Sequence, residues 1–355
     1  MDDRHDRKWM RRALALARRG WGQVAPNPMV GAVLVRDGRM VGEGFHARFG
    51  EAHAEVQALA AAGERARGST LFVTLEPCDH HGKTPPCTEA LIAAGVGRVI
   101  CAVREPGATA GGGADRLRTA GIEVEFGVDE AEARELNAPF FFAATGALRP
   151  WVTIKLAVSI DGAIADSART RRWLTGALAR KEVHRMRANS DAIAVGIGTV
   201  FADDPLLTVR GGKRPRTPPL RVVFDRESRL PATSKLAKTA RKLPTLLLAG
   251  PGAPSTAAAA AAKGVQVEPA ADLVQALQLL HRRGVRSLLV EGGAALAGAL
   301  LEASMVDRLV IFQAPVLLGA GALAAFGGAP GVERLRIVAR KTFGDDQMTV
   351  YALRE

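Results

Sequence analysis

Cysteine is scarce in this chain, with three among 355 residues. That is too few for a disulfide framework and suits a reducing compartment. Tyrosine occurs once and aromatics make up 5% of the sequence, so no stripe of rings is present on which the bases of a nucleic acid would stack. No apolar run approaches a membrane span, and the first residues, Met1-Asp2-Asp3-Arg4-His5-Asp6, are too charged for a signal peptide. A cytoplasmic protein without a membrane partner is expected. The net charge of +12 comes from basic residues spread along the whole chain; anionic phosphate substrates and cofactors account for it as well as a nucleic acid would. No nucleic-acid partner is expected. Apolar residues at 48% and charged ones at 24% are ordinary for a globular protein, and the length suffices for two cores.

Strand and helix signals alternate, which predicts an α/β protein of layered type. Helices are expected over 7–19, 54–62, 131–137, 175–188, 272–282 and 294–301, and from the end of the 76–87 loop to Ala94. Strands are expected over 29–35, 39–44, 70–75, 98–103, 151–157, 192–196, 220–224, 245–248, 287–290, 308–314 and 348–353. Asp37-Gly38 is a hairpin turn, Phe140-Phe141-Phe142 a packing plug, and the Ala/Gly/Pro stretch 250–264 a surface excursion. Cys101, inside an apolar run, reads as core. The expected domains are 1–146 and 147–355.

The chemistry concentrates in His53-Ala54-Glu55, Glu76-Pro77-Cys78 and Cys87. One imidazole and two thiols make three zinc ligands, and Glu55 is a carboxylate not needed as a fourth. A structural zinc site normally fills all four positions with protein, whereas a hydrolytic one keeps a position for water. Zinc deaminases of base-like rings use this arrangement, with the glutamate as general acid and base. His53 and Glu55 are two apart, so they converge only if a helix begins there with its N-terminal end towards the metal. The other reading is a structural zinc staple in a binding protein. Asn27 stands between Pro26 and Pro28, which stiffen its loop; its amide can both donate to and accept from a pyrimidine edge.

Residues 25–32 (Ala-Pro-Asn-Pro-Met-Val-Gly-Ala), Gly44-Phe45-His46, His53-Ala54-Glu55 and the run from Glu76 to Cys87 together resemble the bifunctional riboflavin-biosynthesis deaminase/reductase family. So do Lys155 to Gly162, Trp173-Leu174-Thr175-Gly176, Val183 to Ala188, Gly198 to Arg210 and Glu291-Gly292-Gly293 further along. The resemblance implies a cytidine-deaminase-like three-layer α/β domain followed by a dihydrofolate-reductase-like α/β domain. The implied cofactors are one Zn2+ in the first domain and NADPH in the second. The implied substrate is a small phosphorylated pyrimidine, 2,5-diamino-6-(5-phosphoribosylamino)pyrimidin-4(3H)-one. Its 2-amino group is hydrolysed first, and the ribosyl chain of the product is then reduced to ribityl. A homo-oligomer is also implied. The alternative reading is an RNA or nucleobase deaminase with an added nucleic-acid-binding domain.

The same resemblance implies that Asn27, His46, His80, Lys83 and Thr84 line the deamination pocket. In the second domain it points to Arg187, Leu207, Arg210 and Glu291 for substrate. Ala157, Trp173, Thr199, Asp203, Gly292 and Gly293 are the corresponding cofactor residues. Gly292-Gly293 between a strand and a helix would bring bare backbone amides to an anion. The arginines suit a phosphate through forked hydrogen bonds, or else form surface salt bridges. Trp173 is either core or packing for the nicotinamide, Asp203 is a candidate proton source, and Asp161 shapes a loop. The chain departs from the family pattern at three places. Arg171 and Arg172 precede Trp173 where Gly-Glu-Ser-x-Trp is usual, Arg226 stands where a serine is frequent, and Glu105-Pro106-Gly107-Ala108 replaces Asp-Pro-Asn-Pro.

Overall fold

Asp37 and Gly38 both take positive φ, 51° and 69°, the pairing a two-residue hairpin turn demands. They join two strands of the first of the two units into which the chain divides, Met1–Ala147 and Leu148–Glu355. The computed structural model describes residues 3–107, 111–168, 173–252, 257–326 and 335–353.

The first unit runs α1 (Asp3–Ala17), β1 (Gly31–Arg36), β2 (Arg39–Phe45), α2 (Ala54–Ala62), β3 (Thr70–Val73), α3 (Cys87–Ala93), β4 (Arg98–Cys101), α4 (Gly113–Thr119), β5 (Glu123–Phe126), α5 (Glu130–Leu136) and α6 (Ala138–Ala144). Its sheet has the order β2-β1-β3-β4-β5, antiparallel through β2, β1 and β3 and parallel through β3, β4 and β5. Alternation along β1 explains the layers. Ala32 and Leu34 face a core shared with α2, α3 and α4, whereas Val33 and Val35 face one shared with α1 and α5. Cys101 is fully buried in the first of these cores. The Phe140–Phe142 run lies on α6, where Phe140 and Phe141 pack edge to face at 5.5 Å against the second core.

The position of α2 depends on glycine. A Cβ on Gly44 would lie 2.5 Å from the Ala54 carbonyl oxygen and 2.6 Å from the Ala58 nitrogen, so α2 reaches β2 only because that side chain is missing. Gly44→Ala is expected to cost about 1–3 kcal/mol in a denaturant titration. It should also weaken zinc retention against a chelator, since α2 opens at His53.

The second unit runs β6 (Trp151–Val158), β7 (Ala163–Ala165), α7 (Ala177–Ala188), β8 (Ala192–Gly196), α8 (Ile197–Asp203), β9 (Leu220–Phe224), α9 (Lys235–Lys238), β10 (Thr245–Ala249), α10 (Ala257–Ala261), β11 (Gln266–Pro269), α11 (Leu273–Arg282), β12 (Ser287–Val290), α12 (Ala294–Glu302), β13 (Arg308–Gln313), β14 (Leu323–Ala324), β15 (Arg336–Phe343) and β16 (Asp346–Ala352). The large sheet has the order β11-β10-β9-β8-β12-β6-β13-β16-β15. It is parallel from β11 to β13 and antiparallel through β16 and β15; β7 and β14 form a separate antiparallel pair. Helices cover both faces, α11 and α12 on one and α8, α9 and α10 on the other.

The stretch 250–264 is not a mere surface excursion. It contains α10, whose Ala260 is fully buried, and it crosses from β10 to the parallel strand β11. At the start of this unit Arg149 grips Asp307 through two hydrogen bonds of 2.6 and 2.7 Å, and the same carboxylate accepts from the Val152 N–H at 2.8 Å. Asp307 is 2% exposed.

Candidate active sites

In the first unit the expected ligands come together. One ring nitrogen of His53 and the sulfurs of Cys78 and Cys87 all lie within 4.8 Å of one another; His53 Nδ1 is 3.6 Å from Cys78 Sγ and 3.4 Å from Cys87 Sγ. Two helix starts deliver two of them: His53 is the extended residue capping α2, and Cys87 is the first residue of α3 behind Pro86. Cys78 follows β3 on the Glu76-Pro77 loop. A soft donor set of one imidazole and two thiols fits zinc. The hydrogen bond from Cys87, together with His53, holds the Cys78 thiol down, and the same pairing pushes Cys87 up.

Because α2 begins at Ala54, Glu55 falls in its first turn and points the way His53 does. Its side chain is almost fully buried, and burial, reinforced by the Cys78 charge, raises its carboxyl to about 7. It borders a cavity of about 320 Å³ together with His53, Cys78 and all five expected substrate residues, Asn27, His46, His80, Lys83 and Thr84. Asn27 Nδ2 lies 3.4 Å from His46 Nε2. The His46 ring stands edge-on to His53 at 5.2 Å, and burial lowers its pKa. His80 Nδ1 is buried without a hydrogen-bond partner, which leaves a polar atom for a ligand. Lys83 Nζ rests 4.2 Å over the Phe49 ring.

The motifs do not mark two further residues of the cavity wall, Glu105 and Phe140. Glu105 follows β4, at the carboxyl end of a parallel strand, where ligands of open α/β sheets are held; that position was the available signal. Burial raises its carboxyl. Glu76 fixes this wall, since its carboxylate accepts from the backbone N–H groups of Glu105 at 3.1 Å and Ala114 at 2.9 Å. The close approach again needs a glycine: a Cβ on Gly113 would sit 1.9 Å from the Pro77 carbonyl oxygen. Of the altered loop, Ala108 lies outside the described residues.

In the second unit Arg187 and Glu291 meet across 104 residues through two hydrogen bonds of 2.6 and 2.7 Å. The pair is mostly buried, so Arg187 is neither a surface salt bridge nor a free fork. Burial alone would raise the Glu291 carboxyl, and the Arg187 charge and hydrogen bonds more than reverse this. Lys155 on β6, which the motifs did not single out as a site residue, interacts electrostatically with both, and burial lowers its pKa. Arg187 Nη1 also donates to the Thr208 carbonyl at 2.9 Å. Leu207 is buried beside it with φ at 49°, and the Arg210 side chain is exposed.

The expected cofactor residues gather in part. Gly292 and Gly293 follow β12 and open α12, and the Gly293 N–H donates to Thr199 Oγ1 at 3.0 Å. A Cβ on Gly292 would lie 3.4 Å from the Gly196 nitrogen at the end of β8, so bare backbone lines the carboxyl ends of neighbouring strands. Ala157 is half-buried on β6. Asp203 is exposed one helical turn after Thr199. Trp173 is 55% exposed, with the Arg180 guanidinium 5.4 Å from its ring centre, so it is not core. Arg171 and Arg172 lie outside the described residues, and Arg226 is exposed. Asp161 shapes a loop as expected. It accepts from the backbone N–H groups of Leu318 and Gly319, and the Ser159 hydroxyl first, then these two, hold its carboxyl down at about 2.

Comparison with known proteins finds a match for each unit. A family model for the cytidine and deoxycytidylate deaminase zinc-binding region matches residues 3–103, and one for the RibD C-terminal domain matches residues 150–349. The riboflavin biosynthesis protein RibD of Aquifex aeolicus is 42% identical over 319 residues, covering 89% of this chain and 88% of its own. That of Escherichia coli is 41% identical over 358 residues, 93% of each. Among solved structures, Acinetobacter baumannii RibD has a TM-score of 0.84 at 36% identity over the full length of both chains. A diaminohydroxyphosphoribosylaminopyrimidine deaminase/5-amino-6-(5-phosphoribosylamino)uracil reductase of Thermotoga maritima has a TM-score of 0.85 at 34% identity, covering 99% of each. With a ligand set for zinc in one unit and the reductase family's match across the other, the chain belongs to the RibD family of bifunctional riboflavin-biosynthesis deaminase/reductases.

Proposed function

We propose that the first domain, 1–146, hydrolyses the 2-amino group of 2,5-diamino-6-(5-phosphoribosylamino)pyrimidin-4(3H)-one, and that the second, 147–355, reduces the ribosyl chain of that product with NADPH. The observation that carries the reading is the buried Glu55 carboxyl in the wall of the pocket that His53 and Cys78 also line, with Cys87 clustered with those two and itself buried. His53, Cys78 and Cys87 would hold zinc, which when bound supplies a Lewis acid that brings the pKa of water towards about 7. Glu55 takes a proton from the attacking water on its carboxylate and returns it to the departing ammonia. Asn27 reads the pyrimidine edge through its amide, and His46, His80, Lys83 and Thr84 orient the rest of the substrate.

In the second domain Arg187, Leu207, Arg210 and Glu291 form the substrate side. Gly292, Gly293, Thr199, Ala157, Asp203 and Trp173 form the cofactor side, where NADPH would supply a hydride. The bare backbone at Gly292 and the α12 N-terminus suit its phosphates. A small pyrimidine ligand, a cytoplasmic location, a homo-oligomeric state and the absence of a nucleic-acid partner complete the proposal. Scarce aromatics support the last of these, and among the described residues no helix is long and apolar enough to cross a membrane. The test is zinc-loaded protein with the diaminopyrimidine. Ammonia should appear at the same rate with and without NADPH, and NADPH should be oxidised only once deaminated product is present. NADPH oxidation without prior ammonia release would overturn the order.

A further inference from the structure

Residues 206–210 are held more tightly than a connecting loop requires. Leu207, at their centre, is a buried leucine in the left-handed region, φ 49°, a strained conformation that persists only where its surroundings impose it. Three side chains grip alternate backbone groups around it. Arg221 Nη1 donates to the Leu206 carbonyl at 3.3 Å, Arg187 Nη1 to the Thr208 carbonyl at 2.9 Å, and the Arg210 N–H donates to His184 Nδ1 at 3.3 Å. Arg221 is 1% exposed, and its other bonds go to Leu236, Leu243, Thr239 and Thr245, so the brace is anchored in the interior. His184 and Arg187 are one helical turn apart on the same face of α7.

We infer that His184 is a positioning residue of the reduction site, accepting the Arg210 N–H at Nδ1 and so fixing how the Leu207–Arg210 segment meets a phosphorylated pyrimidine. With Nδ1 as acceptor, the ring proton belongs on Nε2. Burial and the charges of Arg187 and Arg210 outweigh the opposing effects of Glu291 and the Thr208 backbone hydrogen bond, so the imidazole's pKa is lowered and the neutral form favoured. The inference rests on the reading of Arg187, Leu207 and Arg210 as substrate residues. It adds a residue that acts through backbone groups of the segment, the Arg210 N–H and the Thr208 carbonyl.

The test uses the full, zinc-loaded chain with deaminated pyrimidine and NADPH, comparing wild type with His184→Ala, His184→Gln and His184→Asn. Asparagine places an acceptor oxygen near the position of Nδ1; glutamine places its amide near Nε2. Losing one backbone hydrogen bond should raise KM for the pyrimidine about three- to tenfold in the Ala and Gln proteins. Their kcat and KM for NADPH should be little changed, and Asn should restore the wild-type KM. Ammonia release from the other unit should be the same in all four. An unchanged pyrimidine KM in His184→Ala overturns the inference, as does a loss confined to kcat. If the Ala and Gln proteins lose thermal stability, His184→Asn decides. A raised KM in that variant at wild-type stability overturns the inference, and a wild-type KM supports it. A wild-type protein that reduces no deaminated pyrimidine would overturn the underlying reading of the site, and this inference with it.

Discussion

Glu55→Gln is expected to abolish ammonia release, by about 10²–10⁴-fold, while the protein still binds zinc and still reduces deaminated pyrimidine supplied from outside. The amide keeps the shape of the side chain and loses its capacity to carry a proton. Glu55 is not among the three clustered ligand residues, so metal content should match wild type. The two readouts, ammonia from the diaminopyrimidine and NADPH oxidation with the deaminated product, separate the chemistry of one unit from that of the other. Loss of both activities in a folded, zinc-loaded variant would contradict separate sites.

Arg187→Met should produce the reciprocal result, with reduction lost and ammonia release retained. It should also cost stability. Removing one member of a buried pair leaves an uncompensated charge, at about 3–5 kcal/mol, and the nearby Lys155 should bring the loss towards the lower figure. The second unit's melting temperature measures this, with the deaminase activity as internal control. The sign of the pH dependence follows from Glu291. Its folded pKa is depressed below the ordinary 4.5, so its stabilising contribution is fully present above that value. The contribution is lost as the pH falls below 4.5 towards the folded pKa. The wild-type second unit should therefore lose stability in this acid range, and Arg187→Met should lose less over the same range. Equal acid sensitivity in the two proteins would show that the pair does not govern it.

The deamination site was legible because its chemistry is local in sequence. His53, Glu55, Cys78 and Cys87 lie within 35 positions, and the requirement that a helix start at His53 is met, with α2 beginning at Ala54. The strands Ala192–Gly196, Leu220–Phe224 and Ser287–Val290 were equally plain as apolar runs buried between helices. Other elements gave little signal. Ile197–Asp203 is rich in β-branched residues and contains a glycine, a poor helix by propensity; it is helical because it leaves the end of β8 and buries Ile197 and Val200. Gln266–Pro269 and Arg336–Phe343 are strands at the two edges of the sheet, largely exposed and polar, so no apolar run marks them. Glu105, the Arg187–Glu291 contact and the environment of Lys155 arise from chain crossings that no local spacing records. Trp173, a large aromatic within a family motif, is 55% exposed, which excludes the core reading.

The grip of Arg149 on Asp307 decides where the polypeptide could be divided. Cleaving after Pro150 would remove the guanidinium and leave an acidic side chain interred beside the first strand of the reductase sheet, satisfied among the described residues by the Val152 amide alone. A boundary drawn ahead of Leu148 keeps that clasp whole. The short span preceding β6 therefore belongs, energetically, to the half that follows it.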